Sequence, residues 1–174
     1  MSRSAQRSET PLPAFPSAPE SIAPPAPVRG AFALWVTAVA AGVFETVLAV
    51  IGLIADGSAS TAELTVGIGV RVVVFGVAVL VAARMRAGRR WARVALAIGL
   101  GVFGVASMVV EPLLELIRGE SALSDLLDAG AVDLVFLASR VVHVTAVYAA
   151  VVLMFRPAAN AYFRAVRDAR AAGA

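Results

Sequence analysis

Apolar residues in this chain come in long unbroken runs, without the three-to-four spacing of a soluble amphipathic helix or the alternation of a half-buried strand. Four runs stand out, at residues 31–55, 64–83, 91–110 and 134–155, each 20 or more residues long. About 20 helical residues cross a hydrocarbon core of roughly 30 Å. The runs are rich in valine and glycine, poor helix formers in water. In lipid the backbone must satisfy its own hydrogen bonds, which imposes the helix whatever the propensity. The pattern therefore predicts an all-α membrane protein with a four-transmembrane-helix up-down bundle over residues 29–156. The first run exceeds a signal-peptide core of about 7–15 residues and follows a long proline-rich segment, so it reads as a retained span.

The polar segments set the connections. Residues 1–28 hold seven of the nine prolines, with serine and alanine between them. This arm is expected to be disordered or polyproline-like, as a solvated tail or a docking peptide. The connections DGSASTAE (56–63) and RMRAGRR (84–90) are short, which makes spans one, two and three antiparallel neighbours. The segment 111–133 is longer. Pro112 is expected to interrupt span three. Leu113, Leu114, Leu116 and Ile117, then Leu123, Leu126 and Leu127, suggest amphipathic turns on the outer surface, with Ser121 or Ser124 as a cap. Residues 157–174 predict a short interfacial helix opened by Pro157. Its Tyr162, Phe163 and Val166 are expected to face lipid while Arg164 and Arg167 face headgroups.

Charge then orients the bundle. All 15 basic residues are arginine. Twelve lie on one side: Arg3, Arg7 and Arg29 before span one, Arg84, Arg86, Arg89, Arg90 and Arg93 at the second turn, and Arg156, Arg164, Arg167 and Arg170 after span four. Only Arg118 lies on the other. Arginine in short flanks marks the cytoplasmic face, so both termini are expected there. Trp35, Trp91, Tyr162 and Phe163 are expected as aromatic anchors at that interface. The arginine clusters suit anionic lipid headgroups, and topology explains them without nucleic acid. The chain has no cysteine and one histidine, which removes disulfides and thiolate sites. No cofactor or metal is expected, and no catalytic constellation is present.

Five ionisable residues within or at the ends of the spans remain to be explained: Glu45, Arg71, Glu111, Arg140 and His143. A charge at mid-bilayer costs at least about 2.5–3.5 kcal/mol, so each should face protein or water and find a partner. A rise of about 1.5 Å per residue puts most of them in the outer half at similar levels. In spans one to three they lie on stripes of small residues, such as Ala38, Gly42, Glu45, Ala49 and Gly52, which mark packing seams. The expectation is an interior cluster with Glu45 paired to Arg71 and Glu111 to Arg140. His143 is expected to hydrogen-bond across helices through Ser107 or Thr46. The cluster reads either as buried ion pairs that fix helix register or as a proton relay or polar pocket.

The stretches GRRWARVALAIG and RVVHVTAVYAAVVLMFRPAANAYFR resemble a group of uncharacterised small four-transmembrane-helix membrane proteins of actinobacteria. The resemblance covers about residues 31–167 and implies a plasma-membrane four-helix bundle, with no activity to carry over. Two functions follow as expectations. One is a non-enzymatic accessory or scaffold protein, partnered by a membrane protein or by further copies of itself. The other is a small oligomeric proton-coupled transporter using Glu45. A lone glutamate in the first of four spans looks like the small multidrug-resistance exporters, although this chain is longer and supplies arginines able to neutralise it.

Overall fold

A computed structural model describes residues 22–117 and 130–173, apart from the side chains of residues 109, 111, 112, 115 and 116. The proline-rich arm, and the turns expected around Ser121, Leu123, Ser124, Leu126 and Leu127, lie outside the described residues. Of the described residues 88% are helical and none is in a strand. The elements are α1 (Ala26–Ala55), α2 (Thr61–Arg86), α3 (Arg90–Leu96), a π-helical segment (Ala97–Gly104), α4 (Val105–Ile117), α5 (Ala131–Met154) and α6 (Pro157–Ala172). Four helices are long and apolar enough to cross a membrane: Ala26–Ala55, Thr61–Arg86, Arg90–Met108 and Ala131–Met154. The chain is thus a multi-pass, all-helical membrane protein.

Local chemistry explains why the helices outrun the apolar runs. Span one starts five residues early because Pro25 is its N-cap and Pro27 sits in its first turn, where a missing N–H costs nothing. Span two starts at a capping box. Glu63 N–H donates to Ser60 Oγ at 3.3 Å, and Ser60 N–H donates to Glu63 Oε2 at 2.9 Å. That reciprocal pair satisfies two orphan donors at once. Span three does not stop at Pro112: the helix continues through it to Ile117. Proline removes one backbone donor, and membrane helices tolerate that loss better than soluble ones.

The packing order differs from the sequence order. Spans one and four form the most extensive pair, followed by one with two and two with three. Spans three and four touch much less. Burial is also lopsided. Val28, Ala31, Trp35, Met85, Leu96, Met154 and Phe163 are each no more than 2% exposed, and all lie toward the arginine-rich end. Beyond Glu45 in span one, before Ala78 in span two, beyond Val105 in span three and before Ala146 in span four, no described side chain is buried. The helices are closely packed at the arginine-rich end and loosely packed at the other.

The C-terminal helix closes the tight end. Tyr162, Phe163 and Val166 are buried among the helices instead of facing lipid. Tyr162 Oη donates to Arg86 O at 2.9 Å, and Arg170 donates to Ala87 O at 2.8 Å. Both carbonyls lie at the C-terminal end of span two, Arg86 its last residue and Ala87 its cap, where carbonyls lack helical partners. Trp35 is likewise a core residue, 1% exposed, its indole N–H against Met154 Sδ at 3.5 Å. Of the four expected anchors only Trp91 is exposed. The expectation failed because an amphipathic segment cannot say whether protein or lipid covers its apolar side.

Arg93 ties this end together. Its guanidinium lies 4.7 Å from the Phe155 ring centroid and 4.9 Å from that of Phe163, and donates to Asn160 Oδ1 and, at 3.4 Å, to Met154 O. Asn160 Nδ2 in turn donates to Phe155 O at 2.9 Å. An arginine read from sequence as a topology signal is therefore also a structural staple.

Candidate functional site

Glu45 is the one buried charged residue among the described residues, at 7% exposure. It lies on the face of span one that carries Trp35, Ala38 and Gly42, all buried, and this face meets span four. Span four brings three polar side chains to it. His143 Nδ1 lies 3.4 Å from Glu45 Oε1, Arg140 Nε lies 3.9 Å from Oε2, and Ser139 Oγ donates to Oε1 at 3.5 Å. Residues 139, 140 and 143 fall within about one helical turn, so the helix delivers them as a group.

The contacts are loose. Neither Arg140 Nε nor His143 Nδ1 makes a hydrogen bond, although both atoms are buried. The Arg140 guanidinium also lies 5.3 Å from the Phe136 ring centroid. Gly42 makes the approach of these groups feasible. A Cβ on it would lie 3.0 Å from Phe75 Cε1 and 3.1 Å from His143 Cε1. Any larger residue would force both rings to shift.

The cluster borders a cavity of about 360 Å³ to which all four spans contribute. Glu45, Arg71, Arg140 and His143 reach its wall, as does Ser107. Trp35, Phe75 and Phe136 supply aromatic surface to the same wall. Gly104, where the π segment ends, also lines it. The wider turn of a π-helix offsets the residues after it, and such segments recur at functional sites.

Two expected pairings are corrected. Arg71 does not bind Glu45; it folds along its own helix and donates to Gly67 O at 3.3 Å. Arg140 takes the place beside Glu45 because span four, and not span two, is the main neighbour of span one. The proposed Glu111–Arg140 pair cannot be described, because the side chain of Glu111 lies outside the described residues. His143 is not held by Ser107 or Thr46. Those hydroxyls donate to backbone carbonyls in their own helices, Gly104 O and Gly42 O, each at 2.7 Å. Ser139 was missed from sequence, since a lone serine in an apolar run carries no signal until its neighbours are known. Among the described residues no group of three or more histidine, aspartate or glutamate side chains stands close enough to hold a metal.

No family model matches the chain, and no curated protein or solved structure matches it.

Proposed function

We propose that the chain is a multi-pass protein of a bacterial plasma membrane, of the actinobacterial kind its motifs resemble, with both termini in the cytoplasm. On this reading it acts by binding instead of by catalysis, as an accessory protein with one intramembrane chamber. The supporting observation is convergence. Arg71, Glu45, Arg140 and His143, each costly in lipid, border the same 360 Å³ cavity although they come from three different spans. A cavity with a few polar groups in an aromatic and aliphatic wall is the usual form of a small-molecule site. The Glu45 cluster then serves twice, joining spans one and four and providing the polar wall.

The natural absence of cysteine makes the test direct. Single cysteines at Val74 and Ser107 line the cavity, whereas Val72 and Val102 are exposed outside it. In native membranes a water-soluble maleimide is expected to label the first two and spare the second two. Equal labelling of all four would remove the chamber from consideration.

A second reading is favoured by the looseness of the cluster. A carboxylate approached at 3.4 and 3.9 Å, without a tight hydrogen bond from Arg140 or His143, is free to trade one cationic partner for another, as a proton-coupled transporter requires. Reconstituted protein would then take up cations under a pH gradient. Uptake no greater than in empty liposomes, across several cations, would refute it.

A further inference from the structure

We infer that the chamber takes an amphiphilic anion, with its carboxylate or phosphate head between Arg71 and Arg140 and its apolar body against Trp35. The inference rests on the chamber reading above and adds the chemical class of the occupant.

Charge is the first ground. The described ionisable side chains on the cavity wall are one acid, Glu45, against Arg71, Arg140 and His143. Among the described residues this single carboxylate neutralises one arginine and leaves a net positive charge. Arg71 is the excess cation. It belongs to a span yet is exposed, and its one hydrogen bond among the described residues is the 3.3 Å contact to Gly67 O. A guanidinium carries five donors. Leaving them unsatisfied at membrane depth is costly, and a carboxylate or phosphate oxygen pair satisfies two of them at once.

The state of Arg140 is the second ground. Its Nε is buried, makes no hydrogen bond and stands 3.9 Å from Glu45. His143 Nδ1 is in the same condition at 3.4 Å. Glu45 therefore does not saturate the cations beside it, and the open part of the Arg140 side chain, which is 32% exposed, is where a second acceptor can gain hydrogen bonds. Glu45 competes with that acceptor.

Shape is the third ground. A volume of about 360 Å³ lies at the low end of the roughly 300–1,000 Å³ of small-molecule sites, too small for a whole two-tailed lipid. Away from the charged groups the wall is apolar, with Val39, Leu100, Val105 and Val147 as well as Trp35. One short tail or one ring fits that surface. The ligand thus has one anionic head and one compact apolar body.

The test uses the full chain in zwitterionic nanodiscs, with Trp91→Phe so that Trp35 is the only emitter. Trp91 is exposed and does not line the cavity. The probes are a nitroxide-labelled medium-chain carboxylate, the alkyl phosphate of equal length and the trimethylammonium of equal length. Saturable quenching by both anions and none by the cation is expected. Arg71→Gln is expected to weaken anion binding at least fivefold, and Glu45→Gln to strengthen it. Arg71 takes no part in the contact between spans one and four, so its variant folds even where Arg140→Gln does not. Doping the disc with anionic phospholipid separates two sources of the head. Loss of quenching assigns it to a bilayer lipid inserting its headgroup, and retention assigns it to a free acid. Equal quenching by anion and cation, or an unchanged response in Arg71→Gln, overturns the inference. If cysteines at Val74 and Ser107 still label from water, the chamber survives that failure and only its occupant is wrong.

Discussion

Val166 occupies the space that a side chain at residue 88 would need: a Cβ built on Gly88 falls 2.8 Å from Val166 Cγ1 and 3.0 Å from its Cβ. Gly88 also has φ +79°, a region where other residues lose about 1–2 kcal/mol. The turn between spans two and three is thus shaped for the C-terminal helix. Gly88→Ala combines backbone strain with overpacking and should cost about 2–4 kcal/mol. In a Val166→Ala background both Cγ contacts disappear and only the Cβ contact at 3.0 Å remains, so the cost falls toward the backbone part. Thermal unfolding of the four proteins in detergent measures both, and equal costs in the two backgrounds would contradict the contact.

Glu45 should couple energetically to Arg140 and not to Arg71. Glu45→Ala leaves Arg140 near the bundle interior without its anion, a loss of several kcal/mol for a fully buried pair. The Arg140 side chain is 32% exposed, so about 1–3 kcal/mol is the expected range after screening. A double-mutant cycle between residues 45 and 140 should give a coupling above about 0.5 kcal/mol, and one between 45 and 71 should be additive within that limit. The reverse pattern would restore the pairing expected from sequence.

Arg93 should not be replaceable by lysine. Its planar group lies near two aromatic rings and donates to Asn160 at the same time, and an ammonium cannot reproduce that geometry. Arg93→Lys should lower stability by about 1–2 kcal/mol, on the scale of cation–π contacts, and Asn160→Ala should expose the C-terminal helix to added protease. A lysine variant with unchanged melting would show that charge alone suffices there.

Tyr162 gives an alkaline limit. Burial pushes its phenol above the ordinary value, against smaller downward pulls from Arg170 and Arg86. A raised pKa means the folded state holds its proton more tightly than the unfolded state. The corresponding stability is complete below about pH 10 and falls as pH rises through the folded value. Phenolate absorbance should show a late-titrating tyrosine that Tyr162→Phe removes. The same substitution should flatten the loss of stability above about pH 10. An unchanged absorbance titration in Tyr162→Phe would refute the assignment.

Much of this architecture was legible in the runs themselves. Hydrocarbon thickness sets a length that residues 31–55, 64–83, 91–110 and 134–155 all meet, and the structure adds only capped ends such as Pro25 and Ser60. The stripe of Ala38, Gly42, Glu45, Ala49 and Gly52 was readable over its first three residues, which are buried where helices meet, whereas Ala49 is exposed and Gly52 half-buried. The partners were not readable. A stripe says that a face is covered without saying by which helix, and span four supplies what the short first loop suggested for span two. The π segment compounds the problem in span three. Residues counted at 3.6 per turn from Arg90 fall out of phase after Gly104, so Ser107 and Glu111 cannot be placed on a face from spacing alone. Nothing in the pattern separated a lipid-facing Phe163 from a core one, because both require the same apolar residue.

The plug formed by α6 has a consequence for biogenesis. The deepest layer of the protein contains Trp35 from the first helix made and Phe163 from a helix synthesised after all four spans. During translation the early spans can be threaded through the bilayer while their shared floor is still missing. The docking of α6 therefore takes place on the water side of the membrane, after the four spans have been inserted. A nascent chain halted after span four should be correctly threaded yet remain a substrate for quality-control proteases.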